Sequence, residues 1–397
     1  MPGFAYLFER FPSFTQTFCY REVAELRRQG LDFSIFALRS PKDEPPQDWD
    51  PAIVARVQNL PAEDALVPEI DRLARKTQLP AKVTSELKRW GRESDFLRLY
   101  QAAWLGPRLQ QLGVRHLHAH FAGMAARTAY WVERFWNIGF SFTAHANDVF
   151  APKPFVISLG KIIGAARAVV AVSDFELEYL RAKFPADAAK MLRVYNGVEL
   201  DRFAPLNPPN STSTIVSVGR LIEKKGFNDL IEACRLLAGR RVNFHCEIIG
   251  EGPLEGTLRA EIETAGLTKS VVLTGPLPQS EVIRRLSRSA VFALPCVAEA
   301  GGGMDNLPTV IMEAMAAGLP VVSTALAGVP EMVLEGVTGL LIPERQPAAL
   351  SEALARVLLQ PELAHSLGAA GRERAAARFA VERNVRELRA FFEKCAG

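Results

Sequence analysis

Short apolar runs alternate with helix-period segments along almost the whole chain, and that alternation most constrains what it can fold into. The runs 5–8 (AYLF), 33–38 (FSIFAL), 116–122 (HLHAHFA), 140–145 (FSFTAH) and 168–173 (AVVAVS) have strand length and little polar alternation. Runs apolar on both faces suit parallel strands covered by helices on either side. Helical patterns at 17–29, 81–112, 123–136 and 174–184 separate them. Strands alternating with helices imply βαβ units and a parallel sheet.

The stretch 201–213 (DRFAPLNPPNSTS) breaks the pattern with Pro, Asn, Ser and Thr, and is read as an interdomain linker. Beyond it the alternation restarts, with runs at 214–219, 243–250, 271–275, 291–295 and 320–324 between further helical segments. The chain therefore reads as two domains of similar size, 1–200 and 214–378. A last helix over 379–397 is read, from order alone, as crossing back to the first domain. Ligands of doubly wound sheets bind at the carboxyl ends of the strands, which is where functional residues are sought.

Composition narrows the class. Of 397 residues, 48 % are hydrophobic and 23 % charged, so a disordered chain is excluded. Net charge is +3, too balanced for a dedicated nucleic-acid binder. The five cysteines (19, 234, 246, 296, 395) contain no Cys-x-x-Cys and suggest idle thiols in a reducing compartment. Glu9 and Arg10 interrupt the first apolar run, no basic leader precedes it, and no window has the length and apolarity of a membrane span. A cytoplasmic protein is the expectation.

Two segments concentrate candidate chemistry. In 214–230 a buried run ends at Gly219 and Arg220, and a helix begins near Gly226. Arg220 and Lys225 flank that turn, an arrangement suited to a diphosphate; two solvated cations are the bland alternative. In 291–324 a run ends at Pro295, a glycine-rich loop follows, and Pro308 opens a helix. Asp305 precedes that helix and Glu313 lies within it, where a solvated face would be the ordinary reading. His145 follows another strand. His116, His118 and His120 alternate on one strand and share a face. That pattern could hold a metal, but no carboxylate or cysteine accompanies it in sequence, so a structural role is expected. Asp48-Trp49-Asp50, in a Pro-rich loop, reads as solvated rather than metal-binding. The Gly250–Gly256 stretch departs from dinucleotide-fingerprint spacing, and Ser173 and Ser323 lack a nucleophile elbow.

At this point the motifs resemble a known family. FPSFTQTF (11–18), FTAHANDVF (142–150), VYNGVELDRF (194–203), VGRLIEKKGF (218–227), IIGEGPL (248–254), LPTVIMEAMAAGLPVVST (307–324) and AGVPEMVLEGVTGLLIP (327–343) are similar, in order and spacing, to retaining glycosyltransferases of family 4, in the exopolysaccharide, lipopolysaccharide and colanic-acid branch. The resemblance implies the α/β GT-B fold: two facing Rossmann-like, doubly wound parallel-sheet domains with a deep interdomain cleft, the first on the acceptor side and the second for the donor. It implies transfer of a sugar from a nucleotide-diphosphate donor, a UDP- or GDP-sugar, to a hydroxyl of a glycan or lipid-linked acceptor. Anomeric configuration would be retained by front-face attack, without a metal or other cofactor.

Carried over by position, Arg220 and Lys225 would grip the diphosphate, and His145 would contact the donor sugar. Asp305 would touch the transferred sugar and Glu313 the ribose. The amides of Leu307 and Thr309 would face the phosphates. Gly219 and Asn306 complete the donor set, with Gly275 and Leu277 beside the nucleobase. Phe11, Ser13, Thr15, Gln16 and Thr17 would form an acceptor-side loop. Three departures stand out. Asp305 is a methylene shorter than the family's glutamate, and Glu299 is its rival for that position. Asn306 and Pro308 replace common glycines. FPSFTQT replaces a glycine-rich first loop.

Residues 81–115 interleave Lys82, Lys88, Arg89, Arg92, Arg98, Arg108 and Arg115 with Trp90, Phe96, Tyr100 and Trp104. This is the composition of a helix lying on the inner face of an anionic membrane, or of a domain face whose aromatics are core. The competing functional classes are a non-catalytic subunit of the same fold and a nucleotide-sugar epimerase.

Overall fold

The computed structural model describes residues 3–42, 44–45, 47–151, 154–203 and 213–396. Residues 204–212, most of the expected linker, lie outside them. The chain forms two units: Met1–Glu44 with Trp49–Val194 and Val385–Gly397, and Pro45–Asp48 with Tyr195–Asn384. Each holds one all-parallel sheet.

In unit 1 the strands are β1 (Phe4–Arg10), β2 (Ser34–Arg39), β3 (Val57–Asn59), β4 (His116–His120), β5 (Gly139–Thr143), β6 (Ala168–Ala171) and β7 (Met191–Arg193), in spatial order β3-β2-β1-β4-β5-β6-β7. In unit 2 they are β8 (Thr214–Val218), β9 (His245–Ile249), β10 (Val271–Gly275), β11 (Val291–Leu294), β12 (Val321–Thr324) and β13 (Gly339–Ile342), in order β10-β9-β8-β11-β12-β13. Each order reverses once, between β1 and β4 and between β8 and β11. Outside the carboxyl ends of those strands a doubly wound sheet opens its ligand crevice. The crevices are thus bordered by Arg10 and Phe121 in unit 1, and by Gly219 and Pro295 in unit 2.

The central strands are buried on both faces: β4, β5, β6, β11 and β12 carry no exposed residue. Helices covering both faces make this possible, and they account for the continuous apolar runs. The residues Val385–Gly397 belong to unit 1. There Phe392 lies 4.4 Å from the Phe4 ring and 4.8 Å from that of His118, and Arg389 donates to the Gln29 carbonyl at 2.7 Å.

For the segment 81–115 the structure shows how much of it is core. It forms helices Ala81–Trp90 and Leu97–Gln111, and the second is largely interior: Leu99, Tyr100, Trp104 and Leu105 are buried in the unit 1 core. Arg92 pairs with Asp71 at 2.6 Å, Arg98 is buried beside Asp95, and Arg108 covers the Trp104 ring. Lys82, Lys88 and Arg89 are exposed, Trp90 and Phe96 are half-buried against that core, and Tyr100 and Trp104 lie inside it. No helix among the described residues is long and apolar enough to cross a membrane.

Candidate functional site

In unit 2 the turn after β8 is shaped by close backbone packing. A short 3₁₀ turn, Glu223–Lys225, leads into Gly226, whose φ is +66°, and then into the helix Phe227–Gly239. A Cβ on Gly226 would stand 1.8 Å from the Pro295 carbonyl oxygen, so only glycine lets this turn meet the end of β11. Gly250 serves the same end from β9, since its Cβ would lie 1.9 Å from the Gly219 carbonyl. That contact, and the one a Cβ on Gly252 would make with the Leu221 carbonyl at 2.6 Å, explain two glycines of the fingerprint-like stretch without a dinucleotide.

The result is a buried charged trio. Lys224 Nζ lies 3.1 Å from Asp305 Oδ1, and Lys225 Nζ pairs with Asp305 Oδ2. Cys296 Sγ is 3.9 Å from the same Oδ2. Burial alone would raise the Asp305 carboxyl, but Lys225 and then Lys224 more than offset this and hold it well below the usual carboxylate range. Burial lowers Lys225, yet Asp305 leaves its ammonium above its ordinary value. Burial, then the Asp305 charge, push the Cys296 thiol up to about 12, so it stays protonated. Arg220 is exposed, close enough to repel Lys225, and its guanidinium pairs with no carboxylate among the described residues.

Asp305 opens the segment that enters the helix Thr309–Ala316. Asn306 is buried and accepts from the Gly328 N–H through its carbonyl at 2.9 Å. Leu307 and Pro308 are buried, and Thr309 is half-buried at the helix start. Glu313 is 2 % exposed, so the solvated-face reading fails for it. Glu299 is half-buried in a tight turn closed by its own N–H on the Gly303 carbonyl. Its carboxylate is without a side-chain partner among the described residues, whereas both oxygens of Asp305 are engaged. Gly275 ends β10 at φ +76°, and its carbonyl accepts from the Gly250 N–H; Leu277 is half-buried just beyond.

In unit 1 the crevice is lined by rings. His145 caps the short helix Ala146–Val149 and is 7 % exposed, with Phe121 and Phe18 at centroid distances of 4.3 and 5.0 Å. Its Nε2 is 3.3 Å from His120 Nδ1, and His120 Nε2 is 2.9 Å from Glu22 Oε1, which also accepts from the Tyr6 hydroxyl. His116 and His118 share hydrogen bonds with Ser141 and Thr143 inside the sheet. Burial pushes His116 down to about 3 and His118 well below the ordinary histidine value. These are neutral core histidines. Among the described residues no three His, Cys, Asp or Glu side chains gather as a metal site.

The FPSFTQTF loop divides. Phe11 is core, stacked on Phe8 at 4.4 Å, and Ser13 is buried with its hydroxyl donated to Glu44 at 3.0 Å. Both hold the loop from inside, so they are withdrawn from any surface it offers. Thr15 is exposed, and Gln16 and Thr17 are half-buried where the helix Thr17–Arg28 begins. Asp50 caps the helix Pro51–Val54 through the Ala52 N–H, and Asp48 accepts from the Ser280 N–H. Both aspartates of the Pro-rich loop therefore have backbone partners, which a freely solvated loop would not give them.

Sequence reasoning passed over Lys224, Glu22 and His120 as site residues. Lys224 adjoins Lys225 and could have been suspected. Glu22 follows Phe18 by four residues, one helical turn, and spacing alone does not reveal that it meets a strand 98 residues away.

Two family models match the chain: Glycosyltransferase Family 4 over residues 15–202, and Glycosyl transferases group 1 over residues 199–374. The chain is 44 % identical over 161 residues to the putative colanic acid biosynthesis glycosyltransferase WcaL of Escherichia coli, covering 40 % of each protein. It is 32 % identical over 248 residues to a GDP-mannose-dependent alpha-(1-6)-phosphatidylinositol monomannoside mannosyltransferase of Mycobacterium tuberculosis, covering 58 % of this chain and 63 % of that one. These alignments span less than two thirds of either relative. The fold matches that of Anabaena HepE in complex with UDP, with a TM-score of 0.72 at 14 % identity over 99 % of this chain and all of the other.

Proposed function

The chain belongs to the GT-B glycosyltransferases whose two models together run from residue 15 to 374, and from that premise we propose that it is a retaining glycosyltransferase of exopolysaccharide synthesis. It would move a sugar from a nucleoside-diphosphate donor to a hydroxyl of a glycan or lipid-linked glycan. The observation that carries this reading is the Lys224–Asp305–Lys225 trio with Arg220 beside it, at the switch point of unit 2.

That arrangement suits a leaving diphosphate. Two ammoniums face one carboxylate, and an exposed guanidinium adds a planar donor fork. The amides at the start of the helix Thr309–Ala316 add positive potential, except at Pro308, which has none to give. Such preorganised charge stabilises a departing nucleotide. No metal ion is required in this reading, because side chains supply the counter-charge. Glu313 is the proposed partner of the ribose hydroxyls, Gly275 and Leu277 adjoin the base, and His145 meets the transferred sugar. Thr15, Gln16 and Thr17 remain the proposed acceptor-side residues. Configuration would be retained by front-face attack, with the departing phosphate taking the acceptor's proton. The donor is a UDP- or GDP-sugar. WcaL is named for colanic acid biosynthesis, the mycobacterial relative for GDP-mannose, and HepE was crystallised with UDP.

The test is a thermal-shift and calorimetric screen of UDP, GDP, ADP and their sugars in the presence of a chelator. A binding signal for one nucleotide series, lost in Arg220→Ala and Glu313→Ala, supports the donor site. Release of free nucleotide with a lipid-linked or oligosaccharide acceptor, and an α-linked product from an α-linked donor, supports retaining transfer. A folded protein that binds none of these nucleotides overturns it.

A further inference from the structure

The three histidines of β4 meet two chemically different kinds of partner. His116 and His118 bond to the hydroxyls of Ser141 and Thr143. A hydroxyl both donates and accepts, so it tolerates either tautomer of the ring. His120 instead meets Glu22 Oε1 at 2.9 Å. An ionised carboxylate only accepts, and the same oxygen already accepts from Tyr6. Burial, then the charge of Glu22, push the Tyr6 phenol well above its ordinary value, so it remains a donor. His120 Nε2 must therefore carry the hydrogen.

That choice propagates. With a single hydrogen on the His120 ring, Nδ1 is a lone pair, and it faces His145 Nε2 at 3.3 Å. The His145 Nε2 must donate, which leaves His145 Nδ1 as an acceptor. That nitrogen has no hydrogen-bond partner among the described residues, and burial holds the ring's basicity well below the ordinary histidine value. Phe18 and Phe121 hold the ring plane. Phe18 and Glu22 stand one turn apart on the helix Thr17–Arg28, so one helix both clamps His145 and polarises its partner.

We propose that Glu22 is a positioning residue for His145, acting through His120, and that it makes His145 Nδ1 a hydrogen-bond acceptor. The ligand group that meets this ring must then be a donor. A sugar hydroxyl can meet that requirement, whereas an ionised phosphate or carboxylate oxygen cannot. Naming the hydroxyl as the transferred sugar's rests on the function proposed above; the polarity of the chain does not.

The experiment reads the ring nitrogens of the full chain, labelled with ¹⁵N-histidine, by two-bond proton–nitrogen correlation at pH 7.5. His120→Gln and His145→Gln variants provide assignment. The expected wild-type result is a single Nε2–H tautomer for both rings. In Glu22→Gln the side-chain amide can donate as well as accept, so both rings should move to the averaged shifts of a tautomer mixture, with the melting temperature little changed. A wild-type His145 carrying its hydrogen on Nδ1, or charged, overturns the proposal, and needs no variant to fold. Unchanged tautomers in folded Glu22→Gln overturn it as well. With an active donor, Glu22→Gln should lower kcat/KM by roughly two- to threefold, because the sugar hydroxyl can still bond the second tautomer but loses its fixed direction. Affinity for the free nucleotide should stay unchanged, and Glu22→Asp should recover part of the loss. If wild type transfers no sugar but shows the expected tautomers, the transferase reading fails and the polarised chain stands.

Discussion

Lys224 Nζ lies 3.1 Å from Asp305 Oδ1 in the interior of unit 2, though the two residues are far apart in sequence. With Lys225 on the other oxygen, Asp305 is shared by two buried ammoniums. Asp305→Asn should therefore destabilise the protein by about 2–4 kcal/mol, since it leaves buried charge unbalanced. Lys224→Met should cost less, because Lys225 still pairs with Asp305. Denaturant unfolding at pH 7 checks both. The Asp305 carboxyl is held below its unfolded value, so its contribution is present above about pH 4 and is lost as pH falls towards its folded pKa. Equal stability of Asp305→Asn and wild type would remove the trio as a structural element.

Gly226 and Gly219 should respond differently to alanine. At Gly226 the new Cβ would meet a backbone carbonyl at 1.8 Å with φ at +66°, so Gly226→Ala should lose roughly 2–4 kcal/mol or fail to fold. At Gly219 the Cβ would meet side chains alone, Cδ and Cε of Lys225 at 3.2 Å and the tip of the Phe227 ring at 3.4 Å. Gly219→Ala should fold with near-native stability and displace the lysine stem, weakening nucleoside-diphosphate binding several-fold. Calorimetry and thermal melts on the pair separate the effects. The inference about Lys225 fails if Gly219→Ala binds diphosphate as wild type does.

Asp148 ties the loop after β4 to the segment after β5 by accepting the Ala122 N–H at 2.8 Å. Burial raises its carboxyl to about 7, against the lowering effects of the Ala122 N–H and of Arg127. The folded state then binds a proton that the unfolded state, with a pKa of about 3.9, releases. Stability from this group is full below about pH 4 and is lost as pH rises through about 7. Compared with Asp148→Asn, wild type should gain stability on acidification from pH 8 to 5, by at most about 1.4 kcal/mol per pH unit. Parallel pH profiles for the two proteins would refute the assignment.

Arg220 is exposed and anchors nothing in the interior. Arg220→Ala should melt with wild type yet bind the nucleotide about ten- to a hundredfold more weakly, since it loses a charge-assisted contact. Titrations with the cognate nucleotide at two salt concentrations would show this, and the variant should also have the shallower salt dependence. Undiminished affinity would take Arg220 out of the donor site.

The parallel-sheet architecture was legible because a strand buried on both faces must be apolar throughout, and the runs at 116–122 and 168–173 are. The family was legible for a different reason: seven motifs recur in order. The 81–115 segment read two ways because an Arg stem and an aromatic ring look alike on a lipid surface and on a core edge. Tyr100 and Trp104 point inward, and only packing shows that. Glu313 was equally ambiguous until its burial was seen.

What the sequence determines by itself is therefore periodic or contiguous: strand and helix succession, the glycine before the Phe227–Gly239 helix, the paired cations Arg220 and Lys225. What only the tertiary structure decides is which groups meet across crossovers. Glu22 reaches His120, and Asp305 occupies both lysines, because parallel strands from distant parts of the chain end side by side at one edge. Those pairings fix charge and hydrogen-bond direction. No local pattern encodes them, since a carboxylate's partner is set by position in space and not by neighbours in the chain.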